Sequence, residues 1–168
     1  MGPQIWRILA ALVAALQSTG TGAQGMEFHL AALQERYVVG GPIHLTWTLT
    51  NRTGRAWLVL ASDGACDAVV VRIETLEGRP IRQFPLSLPR TSFQPDFAEL
   101  APDASVTNAF DLVAFAGLNG LSLAPGAYRL NASYGFASYS YPSPLNTTAP
   151  QWRGEVVAPP LLLIIRAR

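Results

Sequence analysis

An all-β fold of two packed antiparallel layers is what this sequence predicts, and three observations carry the prediction. From Pro42 to Asn51, the apolar residues Ile43, Leu45, Trp47 and Leu49 alternate without interruption with His44, Thr46, Thr48 and Thr50, the period of a half-buried strand. Further on, Leu123-Ala-Pro-Gly-Ala-Tyr128 leads into a second alternating run, with Tyr128, Leu130, Ala132 and Tyr134 on one side and Arg129, Asn131 and Ser133 on the other. A tyrosine placed at such a strand start matches a tyrosine corner, which marks the sandwich as immunoglobulin-like. Third, Gly and Pro turns divide the chain into seven or eight short runs, and no helix of three turns is written anywhere. A small closed barrel writes a similar strand pattern.

The ends of the chain set its destination and its usable length. Arg7 precedes a nine-residue apolar run, Ile8 to Leu16, and small and polar residues follow up to Thr21-Gly-Ala23. That is the layout of a secretory signal peptide cleaved after Ala23, and the run is far short of the ~20 residues needed to cross a bilayer. Residues 1–23 are therefore read as a signal peptide and 24–168 as one sandwich domain, exported to the periplasm or the exterior, with no integral membrane segment after cleavage.

Charge excludes several partners. The 12 basic residues are all arginine, and they face 11 acids; losing Arg7 with the signal peptide leaves the two signs equal. The arginines are scattered and form no stripe, so nucleic acid and anionic membrane are not predicted partners. The single cysteine, Cys66, has no internal disulfide partner, and stability must rest on the apolar core.

The elements follow in order. Met26 to Leu33 forms a first strand with Phe28 and Leu30 opposite Glu27 and His29, and Gly40-Gly-Pro42 turns the chain into the second. After the Asn51-Arg-Thr-Gly54 turn, Ala56 to Leu60 is a short strand apolar on both faces. Ala68 to Leu76 alternates Val69, Val71 and Ile73 with Val70, Arg72 and Glu74, and past the Glu77-Gly78 turn a short strand runs from Pro80 to Gln83. From Phe84 to Asp96 the pattern breaks, because Pro85, Pro89 and Pro95 withhold backbone donors; a long loop or a sheet edge is expected. Leu100-Ala-Pro-Asp-Ala104 introduces a strand from Ser105 to Leu112 and echoes Leu123-Ala-Pro-Gly-Ala127. The closing strand, Leu161 to Ala167, opens with five apolar residues and is expected to be buried on both sides.

Leu45-Thr-Trp-Thr-Leu-Thr-Asn-Arg-Thr-Gly54, Leu58-Val-Leu60, Ala65-Cys-Asp67 and Gly78-Arg-Pro-Ile81, together with Leu100-Ala-Pro-Asp103 and Pro125-Gly-Ala-Tyr128, give the chain a pattern that resembles the bacterial intracellular-proteinase-inhibitor family. The resemblance spans about residues 43–134 and implies an immunoglobulin-like sandwich and, more distantly, inhibition of a protease. Asp103 stands where that pattern has glycine, and the signal peptide departs from an intracellular address.

Catalysis finds little support. The nucleophile elbow Gly-x-Ser-x-Gly is absent, and the only imidazoles are His29 and His44, each on the polar side of its strand. If their strands were neighbours the pair would meet, with Met26 or Glu27 beside it, but two histidines without a spaced third ligand do not make a metal site. Asp63 and Asp67 alone are too few for calcium. Neither metal nor cofactor is expected. A binding loop is read instead in Ser133-Tyr-Gly-Phe-Ala-Ser-Tyr-Ser-Tyr-Pro-Ser-Pro144, where Phe136, Tyr139 and Tyr141 offer broad amphipathic contacts among small residues. Arg90, stiffened by Pro89, is a second contact candidate, presented to a trypsin-like pocket. The expected role is non-enzymatic binding of a protein partner; the alternatives are a structural module of the cell envelope and a small-molecule or metal carrier using His29 and His44. Asn51-Arg-Thr, Asn131-Ala-Ser and Asn146-Thr-Thr are formal glycosylation sequons, with Asn51 and Asn131 also suited to structural roles.

Overall fold

The computed structural model describes residues 25–61, 66–86, 97–117, 123–135 and 147–168. Among them the strands are β1 (Met26–Ala32), β2 (Tyr37–Val38), β3 (His44–Asn51), β4 (Trp57–Leu60), β5 (Cys66–Thr75), β6 (Pro80–Leu86), β7 (Phe97–Leu100), β8 (Ser105–Asp111), β9 (Gly126–Gly135), β10 (Glu155–Val157) and β11 (Leu161–Arg166). A six-residue helix, α1 (Leu112–Gly117), follows β8. Asp111 caps it by accepting the Val113 amide at 2.9 Å and also accepts the Ile43 amide at 3.1 Å, which ties the helix start to the beginning of β3.

One sheet has the order β1-β3-β8, and the other β2-β11-β9-β5-β6, with β10 also on β9. Pairing is antiparallel except for β2, which runs parallel to β11. The N-terminal stretch thus gives β1 to one layer and β2 to the other, beside the last strand, and β3–β8 faces β5–β9–β11. This is an immunoglobulin-like sandwich. A third, two-stranded sheet of β4 and β7 joins it.

Alternation decides which side chains meet between the layers. Met26, Phe28 and Leu30 of β1, and Leu45, Trp47 and Leu49 of β3, are buried against Val69, Val71 and Ile73 of β5, Leu130, Ala132 and Tyr134 of β9, and Leu163 and Ile165 of β11. Aromatic rings join the layers: Tyr134 lies 6.0 Å from Phe28, 6.3 Å from Trp47 and 5.6 Å from Trp152, centroid to centroid. The Tyr134 hydroxyl donates to the Leu60 carbonyl at 3.0 Å and accepts the Leu60 amide at 2.9 Å. A residue of the core face therefore also pins the end of β4.

The tyrosine corner is present: the Tyr128 hydroxyl donates to the Ala124 carbonyl at 2.8 Å. The short strand expected at 80–83 is longer, extending to Leu86 with Pro85 opposite Val70. β6 is the outer strand of its sheet, the position in which a sheet tolerates proline. The closing strand departs from expectation. Leu163 and Ile165 are buried, but Leu162 is 56 % exposed, so β11 buries one face only, its outer face lying on the open side of the sheet. No helix among the described residues is long and apolar enough to cross a membrane.

Candidate binding groove

The turn after β3 is organised by one buried side chain. Asn51 is fully buried at the end of β3, and its amide nitrogen donates to the carbonyls of Arg55 and Leu100, both at 2.8 Å. Its amide oxygen accepts the Thr53 backbone amide at 2.9 Å and the Thr53 hydroxyl at 2.6 Å. Such a side chain replaces the ladder that ends there. Thr53 in turn accepts the Trp57 indole N–H at 2.9 Å, and the Arg55 guanidinium carbon sits 3.8 Å from the centre of the Trp57 ring. Thr53, Arg55 and Trp57 are thus held in one frame by hydrogen bonds and a cation–π contact.

The facing wall comes from a segment about 100 residues further along. The Leu58 amide donates to the Pro150 carbonyl and the Trp152 amide to the Leu58 carbonyl, both at 2.9 Å, so Gln151 forms a parallel bridge with Leu58. The Thr147 hydroxyl donates to the Glu99 carboxylate on β7 and accepts the Ala149 amide at 3.1 Å, which anchors the start of this segment. Gly154 closes it: a Cβ there would stand 2.9 Å from the Trp152 ring, so only glycine lets the chain pass the buried indole.

Between the two walls lies an open groove of about 740 Å³ lined by Thr53, Gly54, Arg55, Trp57, Gln151 and Arg153. Among the described residues, two guanidinium groups line it and no carboxylate does. Among the described residues, no carboxylate lies within ion-pair distance of Arg55. The neighbouring Arg52 differs. It pairs with Glu27 at 3.0 Å and with Asp103 at 3.3 Å, and the hydrogen bond to Glu27, then that to Asp103, raise its pKa above the ordinary arginine value. Arg52 staples β1 to the turn before β8, and Arg55 faces the groove.

Phe136, Tyr139, Tyr141 and Arg90 lie outside the described residues, as do Asp63 and Asn146. The strands of His29 and His44 are indeed neighbours, but His29 is opposite Thr48, four positions along β3 from His44, which is ~13 Å at the strand rise. Met26 is fully buried beneath the sheet. The imagined histidine site is therefore not assembled, and no cluster of three metal-ligating side chains occurs among the described residues. Cys66 opens β5 opposite Leu86. The Asn51 sequon is inaccessible in the folded chain, since the acceptor amide is buried and bonded on both atoms.

Sequence reasoning missed the groove. Its signal was the doubled pairing of arginine with tryptophan, Arg55-Ala-Trp57 and Trp152-Arg153, in stretches read as a turn with a strand and left unread, respectively.

No family model matches the chain, and no curated protein matches it. Solved structures of similar shape include the CARDB domain of a Pyrococcus furiosus protein in complex with di-metal ions, 10 % identical, covering 85 % of this chain and 94 % of that one at a TM-score of 0.40. The C-terminal domain of wzt is 14 % identical, with 86 % and 75 % covered and a TM-score of 0.45. A β-glucosidase from Listeria innocua is 14 % identical, with 85 % of this chain but 16 % of that one covered, at a TM-score of 0.41. The class of the protein is set by its own strand order, that of an immunoglobulin-like β-sandwich.

Proposed function

We propose that the chain is a non-catalytic, exported domain that binds a protein partner, with the Arg55–Trp57 groove as part of its contact surface. The observation that carries this is the guanidinium stacked on a tryptophan inside a prebuilt frame. Arginine and tryptophan dominate interface energetics, and a side chain already held in place loses little entropy on binding. The signal-peptide layout of residues 1–23 supports export.

The test is affinity capture of cell-envelope proteins on the purified protein, with Arg55→Ala and the double variant Tyr139→Ala/Tyr141→Ala as controls. A specific partner held by the wild type and released by a still-folded variant is the expected result. Loss of the same proteins from none of the variants sinks the assignment of the surface. Proteinase inhibition is the narrower form of this reading, with Arg90 as the residue presented to the protease. It predicts inhibition of a trypsin-like enzyme that Arg90→Ala abolishes, and equal inhibition by the variant removes it.

A further inference from the structure

We infer that the groove between the β3–β4 turn and residues 151–153 takes an acidic peptide segment, an Asp or Glu carboxylate seating against Arg55. This rests on the protein-binding reading and specifies the chemistry of the partner. Charge is the first argument. Among the described residues the lining contributes Arg55 and no acid, and Arg55 is in no ion pair there, whereas the adjacent Arg52 is already matched by Glu27 and Asp103.

Geometry is the second. The Arg55 guanidinium carbon lies 3.8 Å from the centre of the Trp57 ring, within stacking distance, and Thr53 holds the indole in turn at 2.9 Å. A guanidinium held flat on a ring presents its N–H edge outward, the edge that meets a carboxylate with two parallel hydrogen bonds. Trp57 is only 8 % exposed, with Arg55 over its ring, so among the described residues the groove offers no bare aromatic platform on which a sugar would stack. That argues for a peptide over a polysaccharide. The openness to solvent between Gly54, whose Cβ position meets nothing within 4 Å, and Gln151 leaves room for an extended chain.

The experiment follows the indole N–H resonances of Trp47, Trp57 and Trp152 by NMR while adding an end-blocked octapeptide of alternating Glu and Ala. The expected result is a saturable shift at Trp57, with Trp47 in the core unmoved. Arg55→Ala should weaken binding at least tenfold, and Arg55→Lys several-fold, since lysine keeps the charge and loses the fork. Gly54→Glu places a carboxylate in the groove without a clash and should abolish the shift, while Gly54→Gln retains it; these variants remain informative if Arg55→Ala folds poorly. Equal binding by Gly54→Glu and wild type, no shift at millimolar peptide, or tighter binding of polygalacturonate or inorganic phosphate at the same residues would each overturn the inference. Capture of a protein partner that persists in Gly54→Glu leaves the binding-domain reading intact and removes only the groove assignment.

Discussion

Two five-residue stretches of this chain are nearly the same word, Leu100-Ala-Pro-Asp-Ala104 and Leu123-Ala-Pro-Gly-Ala127, and each introduces a strand, β8 and β9. The backbone solves the two turns differently. In the first, Asp103 adopts a positive φ of 59°, the Ala104 amide bonds the Ala101 carbonyl at 3.1 Å, and Asp103 N and Ala104 O both bond the backbone of Asn51. In the second, Gly126 has no positive φ, and the turn is closed by the Tyr128 hydroxyl on Ala124. The glycine sits where any residue fits, and the aspartate sits where glycine is usual. A turn's conformation is set by what grips it, here a strand end in one case and a tyrosine in the other, and the local word does not determine it.

The largest effect should come from removing the grip on the first turn. Asn51→Ala leaves the Leu100 carbonyl and the Thr53 amide without the partner they have now, while the Arg55 carbonyl keeps the Thr53 hydroxyl. At about 1–3 kcal/mol for each buried polar group left unsatisfied, and with incomplete additivity, a loss of about 3 kcal/mol is expected. Urea denaturation measures it. The same variant should move the Trp57 indole resonance, because Thr53 holds that indole, and a loss below about 1 kcal/mol would mean that the turn stands without Asn51. Tyr128→Phe tests the second turn. The hydroxyl is partly exposed, so water replaces part of what it loses, and about 1 kcal/mol is expected. The two losses should add, since the variants share no partner.

How far these features were legible in the sequence follows the same division. The alternation was readable because one face of β1 and of β3, and of β9 from Leu130 onward, is buried, and the corner was readable because Tyr128 reaches a carbonyl only four residues away. Asp103 was recognisable as standing at a glycine position, and its φ agrees. The strands β2, β7 and β10 were not seen. They hold two, four and three residues, too few to write a period, and exist because a neighbouring strand supplies the ladder. The Leu161–Ile165 run was misread for a related reason: apolar composition does not say whether a layer covers the second face, and none of the described elements covers Leu162 fully. The groove was hidden because its walls are separated by about 100 residues and are brought together by long-range bonds such as those of the Leu58 backbone.

The smallest effects give the sharpest version of the comparison, because they invert what the two words imply. Asp103→Ala puts a Cβ residue without a local polar side chain at φ 59°, where ordinary residues are strained and aspartate is tolerated. A loss of about 1 kcal/mol is expected, read by thermal or urea unfolding. Asp103→Asn keeps the left-handed preference and drops the charge that faces Arg52, so it separates backbone strain from the ion pair. Gly126→Ala should run the other way. Its new methyl would meet the Tyr128 ring at 3.5–3.7 Å, ordinary contact distance, and alanine narrows the unfolded ensemble relative to glycine, so the variant should be neutral or more stable by about 0.5 kcal/mol. If instead Gly126→Ala proved the more damaging of the two, the corner would be gripping a backbone that only glycine allows. The turns before β8 and β9 would then differ in strength and no longer in kind.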